Sequence, residues 1–195
     1  MPKHLIITLC MLGLLAGCGQ PKWPEPPQKP NPHPEMSKLK RLVGSWKGTG
    51  ELVSPSAGKI NAMMPEDAEE MPSSFAGGGR HRMALGGMLL QGESWHEMGD
   101  GQKATYIEYW SWDPKAKKYR IWYFSDWGET GTGWAEFDED GNTLRTKARG
   151  TNFHGKRSRG HGTQTFIDKN TIEWTWTERG PDGRMEFKGT SKRTR

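Results

Sequence analysis

Residues 105–126 read TYIEYWSWDPKAKKYRIWYFSD. The chain has 10 tryptophans, 6 phenylalanines and 4 tyrosines, and eight of these aromatics, including every tyrosine, fall inside this stretch. Two runs rich in aromatic and β-branched residues, 106–112 and 119–124, flank the polar loop Asp113-Pro114-Lys115-Ala116-Lys117-Lys118. Aromatic and β-branched residues fit a pleated, half-buried surface, and a Pro-containing polar loop breaks the run, so the stretch predicts a β-hairpin at the centre of an antiparallel sheet.

Outward from the hairpin, the same pattern repeats. Candidate strands cover 46–53, 79–85, 88–98, 103–112, 119–126, 131–138, 143–150, 158–167, 171–178 and 184–191. Asp100-Gly101, Asp140-Gly141 and Asp182-Gly183 fall between successive runs, and Asp-Gly suits tight hairpin turns because both residues tolerate positive φ. Residues 36–43 (MSKLKRLV) form a short helical candidate with Leu39, Leu42 and Val43 on one side, stopped by Gly44. No helical pattern separates the strands. The expected fold is therefore all-β: an up-and-down antiparallel barrel of about ten strands with a short N-terminal helix. Residues 50–74, with Pro55, Pro65 and Pro72, read as a long loop or lid.

The N-terminus says where the protein goes. Lys3 and His4 precede an apolar run at 5–15, too short for the roughly 20 apolar residues of a spanning helix. Residues 1–17 read as a signal peptide, and Leu15-Ala16-Gly17-Cys18 resembles a bacterial lipobox, which implies lipid on Cys18. Cys10 lacks the preceding small residues. A mature chain that begins at a lipidated Cys18 has no free thiol, so disulfides, a catalytic cysteine and zinc–thiolate sites are excluded. Residues 18–35 form a tether. Its seven prolines between 20 and 35 favour an extended path of roughly 50 Å. Residues 36–195 form the barrel domain. Gly19 rather than Asp after the cysteine favours the outer membrane if the cell is Gram-negative.

The formal net charge is +5, and loss of Lys3 with the signal peptide leaves +4. Arg145, Lys147, Arg149, Lys156, Arg157 and Arg159 form the strongest basic run. Alternation puts Leu144, Thr146 and Ala148 opposite the first three cations, as expected of a solvated strand face; attraction to anionic headgroups or lipopolysaccharide phosphates is the sharper reading. Nucleic acid is an implausible partner for an exported, tethered domain.

Several motifs carry a resemblance. LVGSWKGTGE at 42–51, Leu85-Gly86-Gly87-Met88-Leu89-Leu90, Trp112-Asp113 with Lys118-Tyr119, Asp140-Gly141-Asn142-Thr143-Leu144 and the terminal Thr194-Arg195 together resemble a bacterial family known as domain of unknown function 1579. A short helix followed by Gly-x-Trp is also similar to lipocalin-like (calycin) barrels. The resemblance spans roughly residues 36–195 and implies a barrel; the family brings no functional residue with it. In lipocalin-like barrels the Gly-x-Trp tryptophan packs against a cation from the chain end, so Trp46 is expected to meet Arg195 or Arg193 and close the barrel. The haem-binding, nitrobindin-like relatives resemble the chain at Gly44-Ser45-Trp46 and hold iron through a histidine on the last strand. RMEFKGTSK at 184–192 has none, which disfavours haem.

Catalytic motifs are missing. Residues 150–158 (GTNFHGKRS) approach a P-loop, but Arg157 stands where Ser or Thr is needed and a strand follows. Asp138-Glu139-Asp140-Gly141-Asn142 suggests a calcium loop, yet the downstream glutamate spacing fails, and a hairpin turn explains it better. His81 and His96 lie on adjacent candidate strands and would share a lumen; His161 sits between Gly160 and Gly162, where a backbone can approach a ligand. Surface or hydrogen-bonded histidines are preferred over metal ligands. Six methionines between Met63 and Met98 read as flexible gap-fillers rather than a copper site. The leading functional reading is a membrane-anchored barrel, with no catalysis and no cofactor, holding a small apolar or amphipathic molecule among Trp46, His81, His96, Tyr109, Tyr123 and Trp174. A filled structural barrel is the alternative. An enzyme with His81, His96 and Glu93 as acid–base groups is a third. Finally, the charges of Glu108 and Arg120 suggest that their strand faces point outward. That puts Trp110, Trp112, Trp122 and Phe124 outside, and so calls for a cover: the helix, the loop at 54–74, or a second copy docked as a homodimer on the aromatic hairpin.

Overall fold

The computed structural model describes residues 28–53, 74–97, 101–152, 155–181 and 183–194. The chain divides into a leading unit, Met1–Pro30, and a second unit, Asn31–Arg195, that contains the helices and strands of the described residues. Ten strands close into one barrel: β1 (Gly44–Leu52), β2 (Ser74–Ala84), β3 (Leu89–Glu97), β4 (Lys103–Asp113), β5 (Lys118–Ser125), β6 (Thr130–Phe137), β7 (Thr143–Thr151), β8 (Arg157–Phe166), β9 (Thr171–Gly180) and β10 (Gly183–Thr194). Each strand pairs antiparallel with its neighbours in sequence, and β1 pairs with β10 to remove the free edges. The expected all-β, up-and-down barrel is the fold observed. On β5, β7 and β8 lysine or arginine alternates with small or apolar residues, and this period of two marks the lumen side there.

One end of the barrel is closed. A 3₁₀ helix, Pro34–Arg41, lies across it. Met36, Leu39 and Leu42 are spaced by three, the period at which 3₁₀ side chains stack in one column, and all three are buried. The expected apolar face of Leu39, Leu42 and Val43 assumed an α-helix; the tighter winding brings Met36 into the column instead and leaves Val43 partly buried at its edge. Pro34 opens the helix, and His33 Nδ1 caps it by accepting from the Glu35 backbone N–H at 3.3 Å. Beneath the column lie Trp46, Leu90, Trp110, Tyr119, Ile121, Leu144, Phe166 and Ile172, all buried. The Tyr119 hydroxyl donates to the Glu35 carbonyl at 2.9 Å, and the Trp46 indole N–H donates to the Leu42 carbonyl at 2.7 Å, tying plug to wall.

Arg193 fastens the seam between β1 and β10. Its guanidinium lies 4.5 Å from the Trp46 ring centroid. It donates to the carbonyls of Arg41 (2.8 Å), Val43 and Lys169 (3.2 Å). Of the two cations expected to meet Trp46, Arg193 makes this contact; Arg195 lies outside the described residues. His33, assigned to the tether by sequence, instead stacks on Trp112 with ring centroids 5.2 Å apart, so the ordered barrel unit begins before residue 36.

The face assignment of β4 is corrected. Trp110 and Trp112 point into the barrel, along with Tyr106 and Glu108, because Glu108 opposes Tyr123 and Trp110 opposes Ile121 on the lumen side of β5. Trp110 is 3% exposed and covered by the helix column rather than by a partner outside. Trp122 and Phe124 do face outward, as expected, and Phe124 stays 48% exposed. The loop at 54–74 lies outside the described residues up to Ser74, which opens β2. Arg145, Lys147, Arg149, Arg157 and Arg159 lie exposed on the outer face of β7 and β8, opposite Leu144, Thr146 and Ala148.

Candidate functional site

The other half of the lumen is built differently. Register places one continuous row across the inside of five strands: His81 on β2, Gly92 on β3, Glu108 on β4, Tyr123 on β5 and Gly131 on β6. His81 Nε2 donates to Glu108 Oε1 at 2.9 Å. Gly92 lies between them, and a Cβ there would collide with both the Glu108 carboxylate and the His81 ring. The glycine is what lets the pair meet. Tyr123, next along the row, rests its hydroxyl end against Gly131 and Gly150 in the same way.

Glycine clears room for large rings elsewhere in this half. Trp176 lies against Gly160 and Gly162, and Trp174 against Gly50 and Gly189. His161, expected to stand where backbone approaches a ligand, points outward and is exposed; its flanking glycines accommodate Trp176 on the lumen side. Towards the mouth, His96 sits between Phe75 and Tyr106, with ring centroids at 5.5 and 5.3 Å. Solvent reaches the His96 ring from the open end, yet crowding by its neighbours removes enough water to hold its pKa below the ordinary value.

The Tyr106 hydroxyl donates to Glu129 Oε2 at 2.6 Å. Burial raises the Tyr106 pKa, and the adjacent Glu129 charge raises it further. Burial likewise lifts the Glu129 carboxyl above its usual range, with repulsion from Glu178 adding to the lift and the Tyr106 hydrogen bond opposing it. Tyr123 is pushed up to about 12, first by burial and then by Glu178 and Glu129. The open half therefore gathers three carboxylates, two imidazoles and two phenols around one space.

Of the residues expected to bind a ligand, His81, His96, Tyr123 and Trp174 face this lumen. Tyr109 does not: it points outward on β4 opposite Trp122, because the shared strand face is set by the Glu108–Tyr123 pairing. Trp46 is inside but sealed in the closed end, its ring under Arg193 and its N–H committed to Leu42. Glu93, offered as an acid–base partner for the histidines, is exposed on the outer face of β3; Glu108 holds His81 instead. Cys18 and His154 lie outside the described residues. Sequence reading missed Glu108, Tyr106, Glu129, Glu178 and Trp176. The signal available was an acidic residue flanked at i−2 and i+2 by aromatics, Tyr106 and Trp110, which marks a charge sharing the buried face.

The Asp138–Asn142 segment is a hairpin turn. Asp138 Oδ1 accepts from the Thr143 N–H at 3.0 Å, Asp140 Oδ1 accepts from the Asn142 N–H at 2.7 Å, and Gly141 has φ +70°. The Thr143 N–H, followed by a side-chain hydrogen bond with Asp140, holds the Asp138 carboxyl below its ordinary pKa. On the outer wall, Thr49, Thr163, Thr165, Thr175 and Thr190 line an open groove of about 500 Å³ beside the Lys188–Glu51 ion pair (2.7 Å). It faces solvent and gathers no buried polar group.

The barrel is similar to solved structures. It matches the crystal structure of Rv2717c from M. tuberculosis with a TM-score of 0.59 at 13% identity, over 85% of this chain and 100% of that one. It also matches the S-type phycobiliprotein lyase CPES from Guillardia theta with a TM-score of 0.56 at 9% identity, over 83% and 93% of the two chains. At these identities the likeness is one of fold. No curated protein matches the chain. The sequence motifs, the closed barrel and a family match across residues 31–193 agree, and the chain belongs to the family described as protein of unknown function (DUF1579).

Proposed function

We propose that this protein is a membrane-anchored binding barrel that holds a small apolar or amphipathic molecule in the open half of its lumen, without catalysing a reaction on it. One observation carries the reading. The Glu108 carboxylate lies in the middle of the barrel wall, on its inner face, yet is 23% exposed, so water reaches from the mouth down to the His81–Glu108 row. A barrel packed solid by its own side chains would bury that carboxylate. Tyr106, Tyr123, Trp174 and Trp176 supply the apolar walls that a ligand pocket needs, beside the carboxylates and imidazoles of the same half. A barrel of similar fold is by its name a phycobiliprotein lyase; a small-molecule role for the present barrel is our inference.

The alternative is a structural barrel. The fit of Trp174 and Trp176 against wall glycines favours it, because those rings occupy part of the space. Native mass spectrometry of protein purified gently from its own cells separates the two. A reproducible adduct that denaturation releases supports binding. A single unliganded mass, together with no ligand in an organic extract, overturns it.

The anchor is a lipid on Cys18, in the outer membrane if the cell is Gram-negative. Each buried CH₂ contributes about 0.8 kcal/mol, so several acyl chains hold firmly. Cys18→Ser is expected to move the protein from the detergent phase to the aqueous phase; unchanged partitioning overturns the anchor. Haem is not part of the proposal, since β10 offers no histidine. On the outer face Ile107 and Phe124 oppose each other and stay 40% and 48% exposed, the surface on which a second copy would dock. Sedimentation at rising concentration tests that dimer.

A further inference from the structure

Charge is segregated across the barrel wall. The protein is basic overall, yet among the described strand positions Arg193 is the only lysine or arginine on the lumen face, and it is committed to the closed end. Arg145, Lys147, Arg149, Arg159 and Arg179 all face outward. Inside, Glu108 and Glu178 face the open half, and Glu129 reaches it to take the Tyr106 hydroxyl. A fatty acid or phosphate head placed here would meet carboxylates and no cation.

A second observation is a buried polar atom on the open-half row that has no partner. The buried side-chain polar atoms that lack a partner among the described residues are His81 Nδ1, Trp110 Nε1, Trp112 Nε1 and Gln164 Oε1; of these His81 Nδ1 belongs to the open-half row, whereas Trp110 and Trp112 lie under the plug. Trp110 is 97% buried, one lumen row below Glu108 on the same strand. A buried polar atom without a partner costs its full desolvation, so such atoms are rare and call for an explanation. Glu108 accepts the hydrogen on His81 Nε2, which in the neutral ring leaves the Nδ1 lone pair free to accept one.

We propose that the open half of the lumen is a subsite for the positively charged, hydrogen-bond-donating end of an amphipathic molecule: an amine, not a carboxylate or phosphate. Its N–H donates to His81 Nδ1. Its charge is balanced by Glu108 and Glu178. The faces of Tyr106 and Tyr123 favour a cation over a neutral head of the same size. The apolar remainder lies along Trp174 and Trp176. This inference rests on the binding reading above and names the chemical class of the ligand.

Three probes with one apolar tail and different heads test it: 4-phenylbutylamine, 4-phenylbutanol and 4-phenylbutyrate, titrated calorimetrically into the full chain at neutral pH and low salt. The amine is expected to bind about tenfold more tightly than the carboxylate, with the alcohol between them. Glu178→Gln and Glu108→Gln are each expected to lower the amine's advantage by about threefold, and the double variant to abolish it. Circular dichroism confirms that each variant is folded; Glu178 lies clear of the His81 pair and remains informative if Glu108→Gln does not fold. A carboxylate that binds as tightly as the amine overturns the charge assignment and leaves the binding reading standing. Absence of binding by all three probes overturns both. A full tenfold amine preference retained in the folded Glu178→Gln protein overturns this placement of the site.

Discussion

The two halves of this barrel use the same wall for opposite ends. In the closed half, alternate positions carry Leu90, Ile121, Leu144, Phe166 and Ile172, which fill the lumen against the Met36–Leu39–Leu42 column. In the open half, many of the matching positions are glycines or polar groups, and the rings of Tyr123, Trp174 and Trp176 pack over those glycines. One half derives stability from packing. The other gives up packing for space and gathers carboxylates, imidazoles and phenols. Where a barrel divides in this way, the loosely packed half is the one to search for function.

The largest test of the contrast is Leu39→Ala. Leu39 is fully buried at the centre of the plug, so its loss is expected to cost about 2–5 kcal/mol, read from denaturant unfolding. Trp174→Ala, at a partly exposed ring in the open half, should cost distinctly less. Equal costs would mean that both halves are packed cores and the comparison fails.

Next comes Arg193→Ala. It removes the contact with Trp46 and the bonds to the Arg41, Val43 and Lys169 carbonyls, and about 1–3 kcal/mol is expected. Hydrogen exchange should rise at β1 and β10 while the centre of the sheet stays protected. A uniform rise would show that the seam is not a local latch.

The alkaline limb reports on the open half. Tyr123 keeps its proton to about 12 when folded, against an ordinary value of 10. Between those values the unfolded chain has lost a proton that the folded chain retains, so stability falls as pH rises through the window. Tyr123→Phe should make that limb shallower. An unchanged slope would place the Tyr123 hydroxyl in free contact with water.

The smallest effect is at Glu129. Its folded pKa is raised, so the folded state binds the proton more tightly, and stability is lost as pH rises through the range just above the ordinary 4.5. Glu129→Gln should flatten that part of the profile and leave Tyr106 an oxygen to donate to. A variant whose profile matches wild type would mean that Glu129 is as well solvated folded as unfolded.

Much of the fold was legible because its causes are local. Period-two alternation and the punctuation of glycine, proline and aspartate placed ten strands within a few residues of their observed ends. Only β2, which begins at Ser74 rather than near 79, starts well before its expected boundary; Gly77, Gly78 and Gly79 hid it, since glycine has low strand propensity. Glycine serves there for clearance: a Cβ at Gly78 or Gly79 would crowd neighbouring backbone, and one at Gly77 would press on the His96 ring. The lumen faces of β5 and β7 were also readable, as their cations stand alone on the outer side.

The site was less legible because its causes lie across strands. Glu108 looks like an outward charge until His81, 27 residues earlier, is brought 2.9 Å from it. That pairing reverses the assignment of β4, takes Trp110 and Trp112 inside and sends Tyr109 out. Alternation along a strand determines which residues share a face, and the sequence by itself settled that for this protein. Which of the two faces is buried depends on what stands opposite, and where a strand carries aromatics on both sides only the register of the closed barrel decided it.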